Sequence, residues 1–169
     1  MRLAYTMADV PGALDPLLHD VAMAALGRGL RVAGIVQVNR DRPGCARCDM
    51  DAVVLPHGPV IAISQSLGPQ ARGCRLDADG LETAVAATQA RLTDGADLLI
   101  VNKFGKQEAA GRGFRPVIAE ALAAGVDVLV GVNGLNLGAL REFADGIGTQ
   151  VSSDAGSLAA WIEAGRHID

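Results

Sequence analysis

The chain has 169 residues, half of them hydrophobic and only 3% aromatic, enough for one domain with a full core but poor in the rings an aromatic-rich β-barrel would use. A net charge of -4 and an isoelectric point near 5.3 argue against nucleic acid or an anionic membrane as partner. Its apolar runs fall short of the roughly 20 residues that span a bilayer. The opening "MRLAYTMADVPG" has one basic residue and no signal-peptide core, so a cytoplasmic chain is expected. Three cysteines, an odd number, do not suit a fully paired disulfide framework.

Residues 2–6 read as a first strand, broken by Pro11, Gly12 and Pro16. Asp15 is predicted to cap a helix with Pro16 at its first position. Leu17, Leu18, Val21, Ala22 and Ala25 supply its apolar face, and Gly27 or Gly29 its end. Residues 30–38 form a buried strand. Region 39–75 departs from this pattern. "AVVL" and "PVIAIS", separated by "PHG", predict a β-hairpin approached by a long polar loop. A Gly/Pro-containing loop, "QSLGPQARGC", follows. Alternation then resumes: helix 77–92, strand 98–101, helix 114–124, strand 126–132, helix 137–144, strand 149–151 and helix 154–164. Such β-α alternation implies a single three-layer α/β domain over 1–169, its sheet mainly parallel, with the hairpin as an insertion.

Three constellations could carry chemistry. The first is the loop after strand one. A phosphate-cradling P-loop needs G-x-x-x-x-G-K-[ST]. "TMADVPGALDPLL" has no Lys, no Ser or Thr after Gly12, and negative charge at Asp9 and Asp15. A plain turn is the simpler reading, with Asp9 and Gly12 as its candidate ligand contacts.

The second is "DLLIVNKFGKQEAAGRG", where a buried strand ends in polar residues. A magnesium-binding strand end would carry acids. Asn102 and Lys103 stand there instead. Lys103, Lys106 and Arg112 beside Asn102 and Gln107 suit an anion, and Gly105 provides the turn. Glu108 is either a general base or a partner of a neighbouring lysine. A solvated charge cluster is the plain alternative.

The third is cysteine. Cys45 and Cys48 form C-x-x-C, and Cys74 lies in "ARGCRLD". Metal or metal-oxyanion ligation, a redox pair and unconnected thiols all stay open. A structural zinc would need His57 or Asp49 to complete it. Arg42, Arg47, Arg72 and Arg75 are expected to lower the thiol pKa values and favour an anionic ligand, which adds Arg72, Gly73 and Arg75 to the candidates. His19 reads as a helix-surface residue and His167 as part of the tail.

"GRGLRVAGIVQVNRDRPGCAR", "GPQARGCRLDADGLETAV" and "DLLIVNKFGKQEAAGRGF" resemble segments of the small RecA-like P-loop nucleoside-triphosphatase family. "RCDMD", "RGCRLD", "LLIVNKFGKQEAAGRGF" and "VLVGVNGLN" are closer still to a bacterial family of uncharacterised proteins, a domain of unknown function often encoded near molybdate-uptake genes. The resemblance implies a P-loop-NTPase-like (RecA-like) fold. It does not carry over catalysis, because the phosphate lysine, the magnesium hydroxyl and the strand-end acids are absent. The expectation is a degenerate scaffold that binds a metal oxyanion or a metal without hydrolysis, with molybdate or another metal species near Cys45, Cys48 and Cys74. A homo-oligomer or a molybdenum-pathway protein would be its partner. The rivals are a divergent nucleotide hydrolase using Lys103 or Lys106, and a regulatory scaffold that binds nothing.

Overall fold

A computed structural model describes residues 1–41, 43–44, 48–66 and 75–166. Seven strands form one sheet: β1 (Leu3–Thr6), β2 (Val32–Arg40), β3 (Asp49–Val54), β4 (Val60–Ala62), β5 (Leu98–Phe104), β6 (Asp127–Val132) and β7 (Gly148–Gln150). Their order is β4-β3-β2-β5-β6-β1-β7. The pairs among β1, β2, β5, β6 and β7 are parallel. β3 and β4 add the predicted hairpin, antiparallel, on the outer side of β2. The fold is thus the mainly parallel α/β sheet with a hairpin insertion that the sequence implied.

The central strands are buried on both faces, which is why they read as unbroken apolar runs. In β5, Leu98 and Ile100 face α1 (Leu14–Gly27) and α6 (Ala155–Gly165). Leu99 and Val101 face α2 (Ala78–Thr93), α4 (Arg115–Ala123) and α5 (Leu137–Ala144). Each buried Leu or Ile contributes about 1.5–3 kcal/mol by leaving water. Asp77 caps α2 by accepting from the backbone N–H of Asp79 and Gly80, as the D-A-D-G stretch requires. Among the described residues no helix is long and apolar enough to cross a membrane.

Two predicted details change. Helix α1 begins at Leu14 with Ala13 as its cap, so Asp15 does not cap it. Asp15 lies in the first turn and is buried, because its side chain finds donors on the sheet that outweigh local capping. A one-turn helix, α3 (Lys106–Ala109), also interrupts the turn after β5.

β2 positions the functional edge. Its pairing with β5 runs from Val32↔Leu98 to Ile35↔Val101. Beyond Ile35 it continues to Arg40 beside β3 alone, ending at Arg40↔Asp49. The β2–β3 arm therefore projects past the carboxyl ends of the parallel strands, the edge at which open α/β sheets bind ligands.

Candidate functional site

Register places Thr6 of β1 and Asn102 of β5 on either side of Gly131 of β6. A side chain at Gly131 would start 2.8 Å from Leu18 Cδ1, so glycine here lets α1 settle onto the sheet. That brings the first turn of α1 over the strand ends. Asp15 Oδ1 accepts from Asn102 Nδ2 at 3.0 Å. Its Oδ2 accepts from Asn39 Nδ2 at 2.7 Å and Gln37 Nε2 at 3.4 Å. Gln37 also donates to Asn39 Oδ1 at 2.8 Å. Three amides from two strands thus converge on one carboxylate that is 5% exposed.

This cluster is not fully satisfied. Asn102 Oδ1 and Thr6 Oγ1 are buried without a hydrogen-bond partner. Such atoms are few in folded proteins, and each calls for an explanation. Asp15 has no ion-pair partner among the described residues.

Past Asn102 the predicted ligand wall separates into three roles. Lys103 falls at a β-bulge, since Asn102 pairs with Gly131 and Phe104 with Val132, and it is exposed, as is Lys106. Gln107 Oε1 accepts from Arg112 Nε at 3.0 Å. Glu108 is neither free nor paired with lysine. Its Oε2 accepts from Gly105 N–H at 2.9 Å and its Oε1 from Phe114 N–H at 3.0 Å, which locks the turn between β5 and α4. Burial raises its pKa, opposed by those two N–H bonds. Gly113 sits at φ +58 with its missing side chain directed at the Glu108 carboxylate, so only glycine leaves the lock room. Among the described residues no lysine pairs with Glu108; both its oxygens are held by backbone N–H groups.

The loop after β1 is a turn. Ala13 N–H donates to Val10 O at 3.2 Å and Asp15 N–H to Gly12 O at 3.3 Å. Asp9 and Gly12 are exposed. Gly12 has φ +79, the left-handed conformation that glycine adopts freely.

Of the cysteine region, Cys45, Cys74, Arg42, Arg47, Arg72 and Gly73 lie outside the described residues, as does His167. Cys48 is exposed and donates through Sγ to Asp41 Oδ1 at 3.0 Å. That bond raises its pKa, and the nearby Arg75 only partly opposes it. At Cys48 the shift therefore runs opposite to the expected lowering by arginine, because the Asp41 bond outweighs the Arg75 charge. Arg75 Nη1 donates to Cys48 O at 2.9 Å and Nη2 lies 3.6 Å from Asp49 Oδ1. This contact ties the residue after Cys74 to the C-x-x-C loop, at the carboxyl end of β2. His57 sits in the β3–β4 turn, a strand length of about 20 Å from Cys48, and cannot complete a site there. Among the described residues, no three His, Cys, Asp or Glu side chains converge as metal ligands. His19 bonds its neighbour Asp20 on the surface of α1.

Sequence reasoning missed Asp15, Gln37 and Thr6 as site residues and Asn39 as their partner. The available signal was two amides spaced two apart at the end of β2, facing an acid early in the helix after β1.

The sequence profile of the family described as "Protein of unknown function (DUF2478)" matches residues 3–161. Over 149 residues, 88% of the chain, the sequence is 43% identical to a protein named molybdenum import ATP-binding protein ModC 2 from Bradyrhizobium diazoefficiens. The match covers only 16% of that relative's length. Among solved structures, a human cancer-related nucleoside triphosphatase superposes with a TM-score of 0.68 at 17% identity, covering 100% of both chains. THEP1 from Aquifex aeolicus superposes with a TM-score of 0.62 at 12% identity, covering 97% of this chain and 96% of that one. At those identities the likeness is one of fold.

Proposed function

Because this chain belongs to the DUF2478 family, we propose a role argued from its own site: a non-hydrolytic binding protein for a metal oxyanion or a metal, acting in molybdenum handling. The observation that carries the reading is the contact of Arg75 with Cys48, residues that belong to the two stretches whose sequences hold the three cysteines and Arg42, Arg47, Arg72 and Arg75. Similarity to the ModC-named relative supplies the element. Loss of the phosphate lysine, and an amide where an acid would hold magnesium, argue against hydrolysis.

The donor set fits such a ligand. Molybdate is a tetrahedral dianion, suited to guanidinium, ammonium and amide donors. Arg75 neutralises charge beside Cys48, and the exposed Lys103 and Lys106 add positive charge at the same sheet edge. Thiolates of Cys45, Cys48 and Cys74 would hold a reduced or thio-substituted molybdenum, as soft ligands. Cys48 must then surrender its proton, so ligation strengthens as pH rises.

Elemental analysis tests this on protein purified from molybdate-supplemented cells, beside a Cys45→Ser/Cys48→Ser control. Stoichiometric metal in the parent and none in the control is expected. Absence of molybdenum, zinc and iron from the parent would sink the ligation. Calorimetry with ATP and GTP, with and without magnesium, separates the nucleotide-binding rival. Micromolar nucleotide affinity abolished by Lys103→Ala would favour that rival.

A further inference from the structure

We propose that Tyr5 and Arg141 form a binding pocket for a small anion, held through a carboxylate or phosphate group. This goes beyond the molybdenum reading and stands without it. The pocket borders β7, at the opposite end of the strand order from the β2–β3 arm that carries Cys48.

Small residues make the space and one ring gives it a floor. A cavity of about 250 Å³ is bounded by Tyr5, Arg141, Ala144, Gly146 and Gly148. Tyr5 of β1 lies beside β7, its Cα paired with that of Gln150. A side-chain carbon at Gly148 would lie 3.4 Å from Tyr5 Cε1, so glycine there lets the ring lie across β7. Gly146, at φ +82, turns the chain from α5 into β7 and adds no side chain. Tyr5 is 5% exposed, whereas Arg141, in the last turn of α5, is exposed. The pocket is therefore anchored on a buried phenol and open to solvent on the arginine side.

The chemistry of the lining selects the ligand. Arg141 Nε donates to the Tyr5 hydroxyl at 3.1 Å, with the guanidinium carbon 5.7 Å from the ring centre. That contact orients the guanidinium and leaves both Nη groups without an acceptor among the described residues. The Tyr5 hydroxyl, already accepting, keeps its own proton, which also has no acceptor among the described residues. A buried phenol proton ordinarily finds one. The side chains of the pocket thus offer donors and one positive charge, and no carboxylate. A guanidinium fork matches the paired oxygens of a carboxylate or phosphate, and its charge strengthens the hydrogen bonds it makes to them. The cavity is smaller than the roughly 300–1,000 Å³ of drug-sized sites, so the ligand is small.

The chain has one tyrosine, so isotope-labelled tyrosine puts an unambiguous magnetic-resonance reporter in the pocket. Titrating the full chain with succinate, and separately with inorganic phosphate, reads binding, with sodium chloride at matched ionic strength as control. A saturable shift with at least one of the two anions, and none with chloride, is expected, and the tighter anion identifies the group. Arg141→Met should weaken that binding by about tenfold or more. Tyr5→Phe, followed by calorimetry because it removes the reporter, should weaken it by about fivefold. An arginine that only shields the ring would leave the tyrosine signal indifferent to both anions. The Cys45→Ser/Cys48→Ser protein should bind as the parent does, which keeps this test separate from the molybdenum one; loss of binding there would assign the anion to the cysteine loops and overturn the pocket. A signal insensitive to both anions, a chloride effect equal to theirs, or unchanged affinity in Arg141→Met would overturn it too. Should Arg141→Met fail to fold, unchanged affinity in Tyr5→Phe overturns it equally.

Discussion

Asp15 and Glu108 are both acids enclosed at the carboxyl edge of one sheet, 5% and 2% exposed, yet they are held in different ways. Glu108 accepts from two backbone N–H groups of its own turn. Those donors are placed by the chain path and cannot swing away. Asp15 accepts from three side-chain amides of β2 and β5, each able to rotate, and one presents an orphaned oxygen. Backbone donors around a carboxylate make a joint. Rotatable side-chain donors leave capacity unmet. Burial alone does not distinguish the two.

The largest expected effect lies at the joint. Glu108→Ala strands the N–H groups of Gly105 and Phe114 and should destabilise the domain by about 3 kcal/mol. That is a fall of roughly 6–12 °C in melting temperature for a domain of this size. Asp15→Asn should change stability by only about 1 kcal/mol, because it replaces a buried carboxylate held by neutral amides while losing one acceptor oxygen. Equal losses of stability in thermal melts of both variants would erase the distinction between the two carboxylates.

A smaller effect is the pH dependence of the joint. Burial holds the Glu108 pKa above the ordinary carboxylate value, so the folded state binds that proton more tightly than the unfolded one. Its contribution to stability is therefore fully present below the ordinary value and is lost as pH rises through the raised folded value. Asp97, lowered by Arg31, and Asp154, lowered by the Ser157 N–H, act with the opposite sign: their contribution is lost as pH falls through their folded values. Comparing denaturation midpoints of the parent and Glu108→Gln across this window isolates the Glu108 part. The parent should lose ground relative to the variant as pH rises. A constant difference would mean that Glu108 does not titrate in that range.

Much of the fold was legible in the sequence because its signals are local. Leu98 to Val101 form an unbroken apolar run, and a strand buried on both faces needs one. Pro56, Gly58 and Pro59 punctuate the hairpin, and Asp77 announces a helix start. The division of labour between acids was not legible. Which carboxylate is wrapped by backbone depends on how the Gly105–Gly113 turn closes, and which meets amides depends on α1 crossing to β2 and β5. Asp15 and Asn102 stand 87 positions apart, and no local pattern links them. Local capping preference placed Asp15 outside the helix, whereas tertiary donors drew it in. His57 could have been excluded from the cysteine site on the hairpin alone, since a strand length separates it from Cys48.

The smallest effect on stability is expected at Lys103 and Lys106, and it sharpens what the site's outer face does. Both are exposed, and neither has an ion-pair partner among the described residues. Replacing each with Ala should shift stability by no more than about 0.5 kcal/mol. Binding should respond differently. The β-bulge turns Lys103 outward while its neighbour Asn102 faces Asp15, so the lysines can meet an oxyanion without approaching the Asp15 carboxylate. Molybdate calorimetry at low and high salt should show weaker binding and a shallower salt dependence in the Lys103→Ala/Lys106→Ala protein, since exposed charges are screened by added ions. If the double substitution left oxyanion affinity unchanged, the lysines would be a solvated surface and the anion would have to be held by the arginine-bearing loops around Arg75.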